Sequence, residues 1–343
     1  MTWFEALTLA VLQGLTEFLP VSSSGHLAVA ASLFHSLGTV ENRPDGLFFI
    51  VMLHLGTLLA ILVFYRRVMR SGARGLVTGG GVGETPTRAI VLRSGLLAVV
   101  ATLPAVVVGL TLKKTVDEAF ENILVPGFAF LVTAALLLST TRMKAGLKGP
   151  AETTWLDALL VGVAQAFAIT PGISRSGSTI AAALALGFSR TWAVGFSLLI
   201  NVPAILGASV LVGKDLQIES LSTEVLQMTG LATILSGIVG YGAIVWLVRI
   251  VRSGRLWYFS VYLVLLSGVV LGSVALMGQG EDSRGMTHEQ GGRPEALDRP
   301  GGGVLARSGS RTEGAGHHLD HADSAGPGPA GPSDRAGSGP IAR

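Results

Sequence analysis

The stretch QGLTEFLPVSSSGH at 13–26 returns in altered form as QAFAITPGISRSGST at 165–179. Gln13 and Gln165, Ser22 and Ser174, Ser24 and Ser176, and Gly25 and Gly177 each stand 152 residues apart. Each copy carries a proline, Pro20 or Pro171, just before its Ser/Gly cluster. Both copies interrupt apolar sequence. Glu17 and His26 belong to the first copy and Arg175 to the second. Ionisable groups at membrane depth are costly and therefore functional by default. A site assembled from both copies would hold an acid, a base, hydroxyls and a fixed cation, a set suited to phosphate chemistry.

Outward from these copies, the 343-residue chain is 49% hydrophobic and 14% charged, against roughly 25% charged for a soluble domain. That is the composition of an integral membrane protein. Six segments reach the roughly 20 apolar residues that a bilayer crossing takes. They lie at 47–65, 90–112, 123–141, 191–213, 228–250 and 256–277. Two further apolar regions, 5–37 and 155–187, contain the repeated motifs. Each reads as two short helices around an irregular turn, entering and leaving on one side of the membrane. Irregular backbone at that depth is tolerated only where protein or a polar cavity covers it. The fold class is all-α, with six full spans and two re-entrant helix-loop-helix hairpins.

Basic residues cluster in alternate loops: Arg66, Arg67, Arg70, Arg74, Arg88 and Arg93, then Arg142, Lys144 and Lys148, then Arg249, Arg252 and Arg255. These loops are expected in the cytoplasm. Loops with fewer basic residues, holding Lys113 and Lys114 or Lys214, Asp215 and Glu219, face outward. The net charge of +3 thus serves orientation rather than nucleic-acid binding. The absence of cysteine excludes thiolate catalysis, iron–sulfur clusters and disulfides. No basic stretch precedes the first apolar segment, so no cleavable signal is expected.

The chain divides into two halves, 1–141 and 142–277, each a broken hairpin followed by three spans. Three is odd, so the second half is inverted relative to the first. The two hairpins then dip in from opposite sides and their tips converge near the middle. His54 and Asn201 fall at matching places in the spans that follow and are expected to line the pocket. Small residues from Gly230 to Gly242 leave room for close helix contact, including a homodimer. The tail, 278–343, is rich in Gly, Pro and Ser and is expected to be disordered. Its His317, His318 and His321 need no metal role.

Ser22–His26 and Ser174–Gly177 are expected to open the second helix of each hairpin. A helix N-terminus attracts phosphate through free N–H groups and partial positive charge. Ser22, Ser24, Gly25, Ser174, Ser176 and Gly177 are therefore candidate phosphate contacts, with the two glycines allowing close backbone approach. Pro20 and Pro171 stop the preceding helices. The permanently charged fork of Arg175 suits phosphate oxygens. Glu17 lies one turn after Gln13 on the same helix face. The pair could offer oxygens to Mg²⁺ beside substrate phosphates, or Glu17 could accept a proton. His26, three residues after Ser23, is expected on the same helix side, able to take the serine proton or protonate a leaving phosphate.

Over residues 1–277 the chain resembles the bacterial undecaprenyl-diphosphate phosphatases of the bacitracin-resistance type. The first family motif matches Gln13, Glu17, Pro20, Val21, Ser22, Ser23, Ser24, Gly25 and His26; the second matches Pro171, Gly172, Ser174, Arg175, Ser176 and Thr179. The resemblance implies hydrolysis of undecaprenyl diphosphate to the monophosphate carrier lipid. It places that reaction on the outer side of the bacterial cytoplasmic membrane, with a divalent cation, Mg²⁺ or Ca²⁺. It implies Glu17, Ser23, His26 and Arg175 as essential residues and adds Thr179 to the phosphate contacts. Many relatives carry Glu where this chain has Gln13, so a mechanism needing two carboxylates there does not transfer. The attacking group stays open between Ser23 and water. The rival reading is a transporter or flippase of a phosphorylated polyprenyl lipid, which would share the inverted repeat and the anion clamp.

Overall fold

The computed structural model describes residues 1–36, 45–78, 87–144, 146–213 and 221–289. In chain order the helices are α1 (Trp3–Phe18), α2 (Ser23–Ser36), α3 (Asp45–Phe64), α4 (Arg66–Thr78), α5 (Arg88–Thr111) and α6 (Lys113–Glu121). They continue as α7 (Leu124–Ser139), α8 (Trp155–Phe167), α9 (Arg175–Ala185), α10 (Arg190–Gly213), α11 (Thr223–Arg252) and α12 (Trp257–Glu289). Among the described residues there is no strand, only an isolated bridge between Lys148 and Phe188. Six segments are long and apolar enough to cross a bilayer: Gly46–Phe64, Arg88–Thr111, Leu124–Arg142, Arg190–Leu211, Thr223–Arg252 and Trp257–Leu276. These are the six spans expected from hydropathy, shifted by a few residues at most ends. The protein is an all-α, multi-pass membrane protein.

Three elements differ from expectation. α4 and α6 form on stretches read as loops. In α4, Arg66, Arg67, Arg70 and Arg74 share one face while Val68, Met69 and Leu76 share the other, the pattern of a short amphipathic helix. A search for span-length apolar runs passes over it. α12 also continues to Glu289, beyond the expected start of the tail at 278. The rest of the tail, with His317, His318 and His321, lies outside the described residues, as do Lys214, Asp215 and Glu219.

Helices α1 and α8 start alike. The Thr2 N–H donates to Glu5 Oε2 at 2.7 Å and the Glu5 N–H to Thr2 Oγ1 at 3.3 Å. In α8 the Thr154 N–H donates to Asp157 Oδ2 at 2.9 Å and the Asp157 N–H to Thr154 Oγ1 at 3.1 Å. Each is a reciprocal capping box that satisfies otherwise free helix-terminal donors. The two boxes stand 152 residues apart, the offset of the polar motifs.

The packing repeats as well. α1 lies against α11, and α8 lies against α5, so the first helix of each broken region packs on the middle span of the other half. Glycine makes these contacts close. A Cβ on Gly14 would sit 2.5 Å from the Ser236 carbonyl oxygen, and one on Gly162 would overlap the Ala101 carbonyl. Between α3 and α11, a Cβ on Gly56 would overlap the Thr233 carbonyl. Apolar side chains give no solvent-driven gain between helices in lipid, so this close packing holds spans together. Gly237 and Gly240 of the small-residue face are used here, against Gly56 and against Phe18, Ala60 and Thr57.

The basic loops gather on one face. Arg93 donates to the Ala151 and Thr153 carbonyls at 2.9 and 2.8 Å. Arg190 donates to the Arg252 carbonyl at 3.2 Å, and the Lys148 N–H to the Gly187 carbonyl at 3.1 Å. These contacts bring the start of α8 and the end of α9 to that same face.

Candidate active site

The tips of the two broken regions are built by matching hydrogen bonds. After α1 the chain turns through Pro20 to Ser22, whose φ of +71° makes it the sole described non-glycine residue with positive φ. Ser22 Oγ accepts from the Gly25 N–H at 3.3 Å, and Ser174 Oγ accepts from the Gly177 N–H at 3.1 Å. The hydroxyls of Ser22 and Ser24, and those of Ser174 and Ser176, lie 3.3 Å apart in each copy. Ser22 and Ser174 are thus equivalent caps. The tips also clasp each other. The Gly172 N–H donates to Ser22 Oγ at 3.2 Å, and Ser176 Oγ–H to the Leu19 carbonyl at 3.1 Å. Thr133 of α7 braces the second tip, donating to the Gly172 carbonyl at 2.9 Å and accepting from the Ser174 N–H at 3.0 Å.

Beside the clasp lies a cavity of about 490 Å³. Its polar end carries Glu17, Ser22, Ser23, Ser24, His54, Gln165, Ser174 and Arg175. Its other end runs between α5 and α10 past Val106, Gly109, Leu110, Pro203, Gly207 and Leu211. Both wall helices contain an internal proline, Pro104 and Pro203, and an internal proline kinks a helix.

Glu17 is the hub. Its side chain is fully buried, and an ionised carboxylate at that depth needs partners. Arg175 Nη2 donates to Oε1. Oε2 accepts from Ser23 Oγ–H at 2.7 Å and from Gln13 Nε2–H at 2.9 Å. His54 Nε2 stands 3.7 Å from the same oxygen. The His54 ring is oriented from its other side, because Nδ1 lies 2.8 Å from the Ile50 carbonyl, which can only accept. A serine hydroxyl directed at a buried carboxylate, beside an arginine whose side chain is 27% exposed and borders the cavity, is an arrangement for activating an oxygen nucleophile against an anionic group.

The other sequence candidates lie off the cavity wall. His26 does not share a side with Ser23. Its Nδ1 lies 2.7 Å from the Ser22 carbonyl and its Nε2 2.7 Å from the Tyr262 hydroxyl. Gly25 and Gly177 allow close approach, but to the opposite tip: their Cβ atoms would meet Gly172 Cα at 2.8 Å and Pro20 Cβ at 3.3 Å. Thr179 Oγ1 donates to the Arg175 carbonyl at 2.8 Å and pairs with Ser197 Oγ at 2.7 Å. Ser176 is used in the clasp. Gln13 backs Glu17 from outside the cavity, and Asn201 is buried with Oδ1 unpartnered. Sequence reading did not single out Thr16, Thr102 or Tyr262. The first two border the cavity, and nothing local to Tyr262 points to His26.

The same geometry tests a divalent cation. Among the described residues Glu17 is the sole carboxylate on the cavity wall, and both its oxygens are engaged. Gln13 Oε1 is buried and unpartnered but does not border the cavity. Among the described residues no three His, Cys, Asp or Glu side chains cluster as ligands. Among the described residues this donor set does not by itself make a protein-held site for Mg²⁺ or Ca²⁺.

Residues 6–270 match the family model described as bacitracin resistance protein BacA. A protein of Alkaliphilus metalliredigens named undecaprenyl-diphosphatase is 38% identical over 278 residues, covering 79% of this chain and 98% of that protein. Its namesake from Desulfosudis oleivorans is 41% identical over 273 residues, covering 78% and 97%. One from a Mycobacterium species is 35% identical over 279 residues, covering 79% and 96%.

Proposed function

The chain belongs to the bacitracin resistance protein BacA family, and on that premise we propose that it is an undecaprenyl-diphosphatase. It hydrolyses the terminal phosphate of undecaprenyl diphosphate and returns the monophosphate lipid used for cell-wall export. Resistance to bacitracin follows from the family. The observation that carries the reading in this chain is the meeting of Glu17, Ser23 and Arg175, from both repeats, on one cavity wall.

The diphosphate enters the polar end and the prenyl chain follows the apolar end between α5 and α10. Arg175 and the N-termini of α2 and α9 bind phosphate oxygens. Ser23 Oγ attacks the terminal phosphorus while Glu17 takes its proton. A Ser23–phosphorus bond forms and the bond to the bridging oxygen breaks, releasing undecaprenyl monophosphate. Glu17 gives up that proton to the departing phosphate or to solvent. Water then attacks the phosphoserine as Glu17 takes its proton. The Ser23 Oγ–phosphorus bond breaks, Glu17 returns the proton to Ser23, and inorganic phosphate leaves. The leaving group is itself a phosphate, so departure needs no strong acid. The reading thus gives the proton-transfer role to Glu17 rather than His26.

The halves 1–141 and 142–277 act as an inverted repeat with two re-entrant hairpins. The shared capping boxes and the exchanged packing of α1 on α11 and α8 on α5 support this. The cavity opens outward from the cytoplasmic membrane. Its wall uses 102–110 of α5 and 203–211 of α10, the ends remote from Arg88, Arg93 and Arg190, and basic loops stay inside. A Cβ on Gly230 or Gly242 would meet nothing within 4 Å, leaving that surface of α11 able to receive a second copy.

Purified full-length chain in detergent, given polyprenyl diphosphate, should release phosphate, and Arg175→Ala should not. Lipid movement in vesicles without phosphate release would favour transport instead.

A further inference from the structure

We propose that Tyr262 is a positioning residue for the reaction, acting through His26 on the left-handed turn at Ser22. The proposal rests on the phosphatase reading above. Tyr262, near the start of α12, places its hydroxyl 2.7 Å from His26 Nε2. The two rings lie nearly parallel, 11° apart with centroids at 5.8 Å. Phe130 of α7 meets the imidazole edge-on at 5.3 Å. The ring is therefore held between two spans and away from the cavity.

Its protonation pattern follows from its partners. The Ser22 carbonyl can only accept, so Nδ1 must carry the hydrogen. In neutral imidazole Nε2 is then the acceptor, and the Tyr262 O–H donates to it. Without that donor Nε2 is left unpartnered, and the ring is anchored only through its Nδ1–H on the Ser22 carbonyl. The His26 backbone N–H reaches the same Ser22 carbonyl at 3.2 Å, so two donors from one residue hold this peptide in place.

Ser22 is where that restraint matters. Its positive φ is unfavourable for a side chain with a Cβ, and its hydroxyl takes the Gly172 N–H of the opposite tip. The next residue, Ser23, aims its hydroxyl at Glu17. Turning the Ser22 peptide would rotate Ser23 off the carboxylate and loosen the clasp. The chain from Tyr262 through His26 to Ser22 thus fixes the direction of the nucleophile without touching substrate.

The test uses the full-length chain in detergent with Tyr262→Phe, which keeps the ring and removes the hydroxyl. The kcat should fall about five- to tenfold, with KM for polyprenyl diphosphate within about twofold, as expected for one lost hydrogen bond that orients a reacting group. In ¹⁵N-histidine-labelled protein, the resonance lost in His26→Asn identifies His26. It should report an Nδ1–H tautomer in both proteins, with the Nε2 resonance moved downfield in Tyr262→Phe, as for an acceptor that has lost its donor. Unchanged kcat, a loss carried by KM, or a kcat loss with the wild-type Nε2 signal overturns the proposal. Absence of phosphate release by the wild type would overturn the phosphatase reading instead, and the Nε2 comparison would stand apart from it.

Discussion

Glu17 and Arg175, separated by 158 residues, form an ion pair that joins the two tips. A charge at the centre of a bilayer costs about 3 kcal/mol or more. Pairing lowers that cost for both residues and makes each half dependent on the other for its charge partner. Arg175→Ala should therefore lower the rate of phosphate release by about 10²- to 10³-fold, the usual loss of a group that stabilises developing negative charge. Arg175→Lys should recover little, because an ammonium lacks the planar fork. Wild-type rates in the lysine variant would show that positive charge alone suffices.

Ser23 and Ser24 both border the cavity, but only Ser23 has its hydroxyl on Glu17. Rapid quenching with substrate labelled at the terminal phosphate should trap label on Ser23. Ser23→Ala should lose about 10³-fold or more in rate, whereas Ser24→Ala should lose less than about tenfold. Ser23→Ala turnover at the wild-type rate would assign the attack to water.

Close packing predicts opposite outcomes at two helical glycines. A Cβ on Gly56 would overlap the Thr233 carbonyl, while one on Gly95 has nothing within 4 Å. Gly56→Ala should destabilise by about 1–3 kcal/mol through overpacking. Gly95→Ala should stabilise by up to about 1 kcal/mol through helix propensity. Thermal unfolding in detergent reads both.

Asp157 provides a pH test at the start of α8. Burial pushes its carboxyl upward, but the Thr154 N–H and the Lys148 ammonium, 3.0 Å away, outweigh that and hold it below the ordinary value. Its stabilisation is thus complete above the unfolded pKa of about 4 and is lost as pH falls through the depressed folded value. Wild-type thermal stability should fall in that acid range, and the Asp157→Asn variant should lack this component of the fall.

The spans and broken regions were legible because the bilayer acts on composition: run length and charge cost are written along the chain. That Glu17 and Arg175 would meet was legible for the same reason, and Ser23 stood out through the repeated Ser/Gly cluster. The capping boxes at Thr2 and Thr154 were present in the sequence as Thr-x-x-acid, but attention to apolar length passed over them. His26 was misplaced because a spacing of three residues fixes only its angle to Ser23. Which way that face turns depends on Phe130 and Tyr262, and packing between distant spans carries no local sequence signal.

The clasp between Ser22, Gly172, Ser176 and Leu19 has a bioenergetic consequence. With Gly25 packed against Gly172 and the Phe130 ring, the clasp should bar passage of water from the cavity to the opposite face. A cell storing energy as an ion gradient could carry many copies without short-circuiting it. Proteoliposomes containing the chain should hold an imposed proton gradient as long as protein-free vesicles do.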